Sequence, residues 1–260
     1  MSTDSISINS KHELDDDSTY PVSKVRTFGD NNEYVILGNK KYLRKDLLES
    51  FGGTMDVGLH KPREFGNATC IGLVSFSISN LVLSLYGLNT RGIHTPNVIV
   101  SLCIFYAGLL QILASIWDFF RGNTFSYVAF GSYGAFFLSF GAIQIESFGI
   151  VKAYMTEDPT QLENAIGIYL IGWALVSFML LMCTLKSVVS LVAMFFFIFM
   201  TFLLQGIGYL IAMPVVIKAG AGVGIAVSVC GLYNAYAGMA NKTNSYFSSY
   251  LIPLAMHHSH

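Results

Sequence analysis

Residues 121–137 read RGNTFSYVAFGSYGAFF, and this stretch is the starting point for the fold. It begins as a polar turn at Arg121, where Gly122 and Asn123 both tolerate the positive φ of a tight turn. Residues 125–145 contain no charged side chain. A helix needs about 20 residues at ~1.5 Å each to cross the hydrocarbon core of a bilayer. The stretch therefore predicts a membrane-spanning helix that follows a short polar link.

The whole composition agrees with a membrane protein. Hydrophobic residues make up 53% of the chain and charged residues 12%, which is roughly half of the ~25% charged content of soluble domains. Six apolar segments of near-spanning length are joined by short links, so we predict an all-α membrane protein with six transmembrane helices in one bundle. The predicted spans are residues 69–87, 97–117, 125–146, 164–184, 188–210 and 214–238.

The ends of the chain are more polar than the middle. We expect residues 1–60 to form a cytosolic amino-terminal tail that is largely disordered. A short ordered segment is predicted near residues 34–51, as a β-hairpin that turns at Gly38 and Asn39 and then a short helix. Residues 61–240 would hold the six-helix domain, and residues 241–260 a cytosolic carboxyl-terminal tail.

Basic residues near the span ends are balanced between the two sides, so the basic residues upstream of the first span decide the orientation. They place the amino terminus in the cytosol, and six spans return the carboxyl terminus to the same side. The third link, residues 147–163, is then the largest external feature. Residues 158–161 read DPTQ, which predicts an N-cap, a proline at N1 and a capping-box glutamine in a lead-in turn to the fourth span.

Enzymatic motifs are missing from the sequence. It has no P-loop, no Gly-x-Ser-x-Gly, no HExxH and no paired aspartates within a span. Its four cysteines have neither metal-ligand nor thioredoxin-like spacing. The formal net charge of −1 argues against a nucleic-acid partner. We therefore expect no enzyme activity, no cofactor and no metal site.

Several uncharged polar residues fall inside the predicted spans. Such groups are costly against lipid, so they face either other helices or a polar path. Asn80 lies one turn after Phe76. For the bulky amide side chains, contact with other helices and lining of a polar path both stay open. The polar residues in question are Asn80, Gln111, Thr201 and Gln205. In the sixth span, the pair Gly220 and Gly224 has the spacing typical of close helix crossing, either within a protomer or at an oligomer interface.

Residues 121–137 resemble the GNTF…AFTSYGSFW signature of the acetate uptake transporters. This family includes bacterial succinate–acetate permeases and fungal acetate and ammonia-export proteins, and the chain resembles its fungal members. The resemblance implies six-helix protomers assembled as a homo-hexamer, each protomer with its own path for small monocarboxylates. It also implies a constriction at Phe76, Tyr133 and Ile198. Asn67 and Gly72 match the family motif Asn-Pro-Ala-Pro-Leu-Gly-Leu, and Gln111 matches a polar position of the second span.

Two departures from the family motif concern its prolines, which are replaced by Ala68 and Cys70. Whether their loss abolishes transport stays open. We predict a plasma-membrane transporter or channel for acetate and similar small monocarboxylates, which pass as a neutral acid or as an anion with a proton. Ammonia or ammonium export is the alternative. A non-transporting membrane sensor or assembly subunit is the alternative of a different class.

Overall fold

A computed structural model of the chain describes residues 26–29, 33–37, 40–50, 66–95, 97–241, 244–247, 249 and 251–254. The chain divides into two compact units, Met1–Phe65 and Gly66–His260.

The first unit contains a small antiparallel sheet. Strands β1 (Arg26–Phe28), β2 (Tyr34–Leu37) and β3 (Lys40–Leu43) pair in that order, and a short helix, Arg44–Ser50, follows. The predicted hairpin is therefore present as β2 and β3, whereas β1 was not predicted. The turn at residues 38–39 and the expected disorder of the remaining tail lie outside the described residues.

The second unit contains six helices, within its described residues, that are long and apolar enough to cross a membrane. Each of the six predicted segments corresponds to one of them. The first to sixth spans are Ala68–Gly87, Asn97–Phe120, Thr124–Gln144, Pro159–Thr184, Val189–Leu210 and Pro214–Met239.

The fourth span begins five residues before the predicted bound. Asp158 occupies the N-cap and accepts a hydrogen bond from the backbone N–H of Thr160 at 3.0 Å, so the predicted lead-in turn is the first turn of the span itself. The capping-box prediction is wrong in one respect. The N–H of Asp158 donates at 2.9 Å to the carbonyl of Tyr154, in the preceding helix Ile150–Glu157.

In the link before the third span, one residue makes the turn and the next caps the helix. Gly122 has φ of +72°, whereas Asn123 has φ of −86° and is the N-cap. The Asn123 side chain accepts a hydrogen bond from the backbone N–H of Ser126 at 3.2 Å. The prediction of positive φ therefore holds for the glycine alone. The span ends at Gln144, because Glu146–Phe148 form a separate 3₁₀ turn.

The second span is not a uniform α-helix. It starts as α-helix at Asn97–Ser101, widens into a π-helix over Leu102–Gly108, and returns to α-helix at Leu109–Phe120. Such widening is often found at functional sites. Each extra residue in a turn rotates the following side chains by about 100° relative to an uninterrupted helix. The residues after Gly108, including Gln111, therefore face directions that the sequence period does not predict.

Spans that follow one another in sequence pack together, and the first packs on the sixth. The third and fourth spans meet through side chains, because the rings of Phe136 and Trp173 have centroids 5.2 Å apart. The six spans therefore close into a ring. At one end, residues 251–254 join the link between the fourth and fifth spans, where Val189 N–H donates to the carbonyl of Ile252 at 2.9 Å.

The glycines of the sixth span allow close packing within one chain. A Cβ added at Gly220 would lie 2.7 Å from the Cγ of Gln205 in the fifth span, and one added at Gly224 would collide with the Oγ of Ser84 in the first. By contrast, Gly222 faces open space. Of the two interpretations of this glycine pair, the structure supports packing within the protomer.

Candidate functional site

Two cavities that are lined by described residues lie within the ring of spans. The far cavity, of about 170 Å³, lies at the end of the bundle where the first, third and fifth spans end. It is lined on its polar side by Asn80, Ser84, His94, Gln144, Thr201 and Gln205.

The near cavity, of about 80 Å³, lies at the opposite end, where the same three spans begin. Most of its lining is apolar, including Leu73, Phe125 and Met194. Its polar lining residues are Thr69, Gln111, Ser126 and Tyr133.

Phe76 and Ile198 line both cavities, and Tyr133 lines the near one. The exposed fractions of these three residues are only 5%, 2% and 3%, in that order. The ring centroids of Phe76 and Tyr133 are 5.5 Å apart. The three side chains come from the first, third and fifth spans, and the fold brings them together between the cavities. We call this group the neck.

The hydroxyl of Tyr133 is engaged by the fourth span. It donates a hydrogen bond to Ser177 Oγ at 3.0 Å, and Ser177 Oγ donates in turn to the carbonyl of Trp173 at 2.8 Å. The phenolic proton is thus held away from the near cavity. The phenolic oxygen keeps a lone pair that can accept a hydrogen bond.

Gln111 is the unsatisfied polar group of the near cavity. Its side chain is fully buried, and within the described part of the chain neither Nε2 nor Oε1 has a hydrogen-bond partner. A buried amide without partners costs the full desolvation penalty of its donor and acceptor. Gln111 also belongs to the lining of the near cavity.

Two polar side chains of the far cavity, those of Asn80 and Thr201, differ in their hydrogen bonding. Asn80 Nδ2 donates to the carbonyl of Gly224 at 2.7 Å and to Ser228 Oγ at 2.8 Å. Asn80 therefore joins the first and sixth spans and also lines the far cavity. Contact with another helix and a position on a polar cavity, the two alternatives for this residue, are both present. Thr201 is buried, and its Oγ1 has no partner among the described residues. Gln205 lines the same cavity one turn further along the fifth span.

Sequence reasoning missed two residues of the far cavity, His94 and Gln144. His94 belongs to the first link and lines this cavity. Gln144 ends the third span. The only sequence signal was their position next to span ends, because the fold decides which end residues face a shared cavity.

Sequence reasoning also did not single out Asp118, near the end of the second span. The structure buries it completely. Its Oδ2 accepts a hydrogen bond from Thr69 Oγ1 at 3.0 Å, and its Oδ1 lies 3.6 Å from a guanidinium nitrogen of Arg121. Arg121 also donates to Asn67 Oδ1 at 3.3 Å. This cluster fastens the start of the first span to the end of the second, beside the near cavity.

The motif residues of the first span have local roles. A Cβ added at Gly72 would lie 2.6 Å from the ring of Phe130, so only glycine allows that contact. The N–H of Cys70 donates to the carbonyl of Asn67 at 3.2 Å, a bond that a proline at this position could not make. Asn67 stands at the N-cap, but its side chain makes no cap bond.

A search of family profiles matches residues 51–256 to the GPR1/FUN34/yaaH family. This match covers well over half of the chain. The chain belongs to the GPR1/FUN34/yaaH family.

Curated members of the GPR1/FUN34/yaaH family are similar over most of their length. Accumulation of dyads protein 2 of Saccharomyces cerevisiae is 43% identical over 90% of this chain and 83% of its own. Ammonia transport outward protein 2 of the same organism is 44% identical over 86% of this chain and 80% of its own. Acetate permease A of Emericella nidulans is 36% identical over 82% of this chain and 74% of its own.

A solved structure has the same architecture as this GPR1/FUN34/yaaH protein. The bacterial acetate channel SatP superposes with a TM-score of 0.62 and 27% identity, over 70% of this chain and 96% of that chain. The six spans and the transporter relatives support a multi-pass membrane protein.

Proposed function

We propose that the protein is a plasma-membrane transporter or channel for acetate and similar small monocarboxylates. The observation that carries the proposal is the pair of cavities on opposite sides of one neck, with Phe76 and Ile198 in the lining of both. The likeness to an acetate permease and to an acetate channel supports the same substrate class.

The neck and the polar groups have complementary tasks in this proposal. A narrow apolar constriction excludes hydrated ions, because it favours loss of water. Phe76 and Ile198 provide that constriction. Gln111 on one side and Asn80 with Thr201 on the other offer amide and hydroxyl groups to the carboxyl group of the substrate. The methyl group of acetate would pass against the apolar side chains.

We propose a homo-hexamer with one path in each protomer. The path residues all come from one chain, so each copy would conduct by itself. Large apolar side chains on the outside of the spans are available to lipid or to neighbouring copies. Among those that are at least 61% exposed are Phe105, Ile168, Leu175 and Val229. The mass of the purified protein in detergent, measured by native mass spectrometry, tests the subunit number.

Ammonia or ammonium export is the second proposed function, because two relatives are named ammonia transport outward proteins 2 and 3. A neutral ammonia molecule is small enough for the same neck. A sensor or assembly subunit without transport is less well supported, since such a protein has no need of two cavities that meet at a constriction.

Uptake of labelled acetate into proteoliposomes tests the proposed function. The experiment is run above the ionisation range of the acid, where little neutral acid leaks through lipid, and liposomes without protein give the background. We expect acetate to equilibrate faster with protein than without. A second arm follows labelled methylammonium. Methylammonium flux without acetate flux would favour the ammonia proposal, and flux of neither above background would overturn both.

A further inference from the structure

We infer that the last described residues of the chain form a strap that binds the headgroup region of the lipid bilayer. The strap comprises residues 244–247, 249 and 251–254. It lies outside the lining of the two cavities, so the inference does not depend on the transported substrate. It follows from where hydrogen bonds hold the strap and from the side chains that the strap exposes.

The end of the strap is bound to the link between the fourth and fifth spans. The N–H of Leu254 donates to the carbonyl of Ser187 at 2.9 Å. The carbonyl of Ile252 accepts at 2.9 Å from the N–H of Val189. Val189 is the first residue of the fifth span, so its N–H has no acceptor within the helix. Because a span begins where the hydrocarbon core meets the polar region, the strap lies at the depth of that boundary.

The start of the strap is bound to the outer face of the sixth span. The hydroxyl of Tyr236 donates to the carbonyl of Phe247 at 2.9 Å and pairs with Ser245 Oγ at 2.6 Å. Val229, Tyr233 and Tyr236 follow the i, i+4, i+7 spacing of one helix face, and all three side chains are exposed. This face therefore points out of the bundle, and the strap leaves the sixth span on its outer side.

The side chains that the strap exposes are mainly apolar. Its large exposed side chains are those of Tyr246, Phe247, Leu251, Ile252 and Leu254. Residues 243–256 contain no charged residue. A contiguous apolar surface is uncommon where a protein faces water, whereas aromatic and aliphatic groups are favourable at the boundary between headgroups and acyl chains. The strap thus has the composition of an interfacial anchor at the depth where such an anchor can act.

The direction of the strap favours lipid over a second copy of the chain. Both of its attachments lie at the end of the bundle that holds the near cavity, near the end of the sixth span and at the start of the fifth. The strap therefore runs along the plane of the boundary and not along a helix. A bilayer is continuous in that plane, whereas a neighbouring copy would cover side chains that follow one another along a span.

Anchoring the strap also holds the start of the fifth span. Ser190 Oγ donates to Asn234 Oδ1 at 2.6 Å, so this start is fastened to the sixth span as well as to the strap. Met194 and Ile198 follow on the same helix and line the near cavity. The strap therefore connects the membrane boundary to a helix of the neck.

Spin-label accessibility of the full-length protein in nanodiscs tests the inference. A nitroxide is attached to Tyr246→Cys, because Tyr246 is fully exposed and its replacement removes no packing. Cys183, which is exposed, and Cys230, which is half-buried, are replaced by serine. Collisions of the nitroxide are measured with oxygen, which partitions into lipid, and with a water-soluble nickel chelate. Both faces of a nanodisc have the same lipid, so the result does not depend on the orientation of the protein.

Two references calibrate the measurement. Thr95→Cys carries the label in the exposed first link, and a phospholipid labelled in its headgroup gives the value for lipid. We expect the label at position 246 to lose nickel collisions relative to position 95 and to match the labelled phospholipid. Nickel collisions equal to those at position 95 would place the strap in water and overturn the inference. Loss of collisions with both oxygen and nickel would place it against a second copy and overturn the inference equally.

A second variant tests how the strap is held. Tyr236→Phe removes the hydroxyl that binds the start of the strap, so it should increase nickel collisions at position 246. Tyr169→Phe is the matched control, because the Tyr169 hydroxyl also pairs with a serine, Ser139 at 2.7 Å, but between the third and fourth spans. Equal nickel collisions in the two variants would contradict the anchoring of the strap by Tyr236.

Discussion

The rings of Phe76 and Tyr133 lie with centroids 5.5 Å apart and planes inclined at 44°, where the near and far cavities approach each other. The two residues come from the first and third spans. Their contact, together with Ile198 from the fifth span, places bulky side chains between the two cavities. In the proposed path, side chains from three helices would therefore set the width of the neck.

Phe76→Ala should widen the neck and admit larger acids. We expect the ratio of benzoate to acetate uptake per folded protein to rise, and Ile198→Ala to have a smaller effect because it removes less volume. Truncation of a buried Phe also costs roughly 3–5 kcal/mol of stability. Leu180→Ala is the control, since Leu180 is buried in the fourth span but lines neither cavity. An unchanged uptake ratio in Phe76→Ala would contradict the neck assignment.

Tyr133→Phe keeps the ring and removes the hydroxyl. It should slow acetate without extending the range of acids, because the hydroxyl of the neck is lost while the bulk remains. The lost bond to Ser177 should cost little stability, about 0.6 kcal/mol for an average bond between membrane helices. Tyr169→Phe is the matched control, because the Tyr169 hydroxyl also pairs with a serine, Ser139, but lies outside both cavities. Equal slowing in the two variants would argue against a role for Tyr133 in the path.

Gly224→Leu should destabilise the bundle, because the added side chain would collide with Ser84. Overpacking of this kind costs roughly 1–3 kcal/mol. Gly222→Leu lies on the same helix and faces open space, so it should unfold at the temperature of the unchanged protein. Thermal unfolding in detergent measures the difference. Two results together would contradict this assignment: a changed oligomer mass in Gly222→Leu and an unchanged unfolding temperature in Gly224→Leu. The glycines would then not serve packing within the protomer.

Asp158 should make stability depend on pH in the acid range. The hydrogen bonds from the Thr160 side chain and then the Thr160 backbone lower the pKa of the Asp158 carboxyl. Its stabilising contribution is therefore present above the pKa of the unfolded chain and is lost as pH falls through the lower folded-state pKa. Thr160→Val removes the side-chain bond and should flatten this dependence, as should Asp158→Asn. A thermal unfolding series from neutral to acid pH, with an unchanged slope in both variants, would contradict the assignment.

The proposed orientation can be tested by cysteine labelling. Thr156 is exposed, in the helix Ile150–Glu157 of the third link. In a variant with Cys183 replaced by serine, because Cys183 is an exposed free thiol, a cysteine at position 156 should react with an impermeant thiol reagent on intact cells. A cysteine at position 19 should react only after the cells are opened. The reverse pattern would place both termini outside.

The sequence alone determined the number and approximate limits of the spans. Apolar length and short polar links decide these locally, since a backbone in lipid must satisfy its hydrogen bonds within the helix. The predicted cap at Asp158 is equally local. Of the two predicted turn residues, Gly122 has a positive φ, whereas Asn123 does not and caps the third span instead. The start of the fourth span was predicted too late in the chain. Its first turn is polar, so that turn was not part of the apolar segment from which the span was predicted.

Only the tertiary structure decided which polar groups face a cavity and in which direction they donate. The family resemblance gave Tyr133 only a place at the constriction, and the structure shows that its hydroxyl donates to Ser177, 44 residues away. Gln111 follows a π-helical turn, so the helical period does not give its direction. Nothing in the sequence singled out Asp118 near the end of the second span or His94 in the first link. These assignments depend on contacts between spans distant in sequence, and the spacing of residues along one helix does not contain that information.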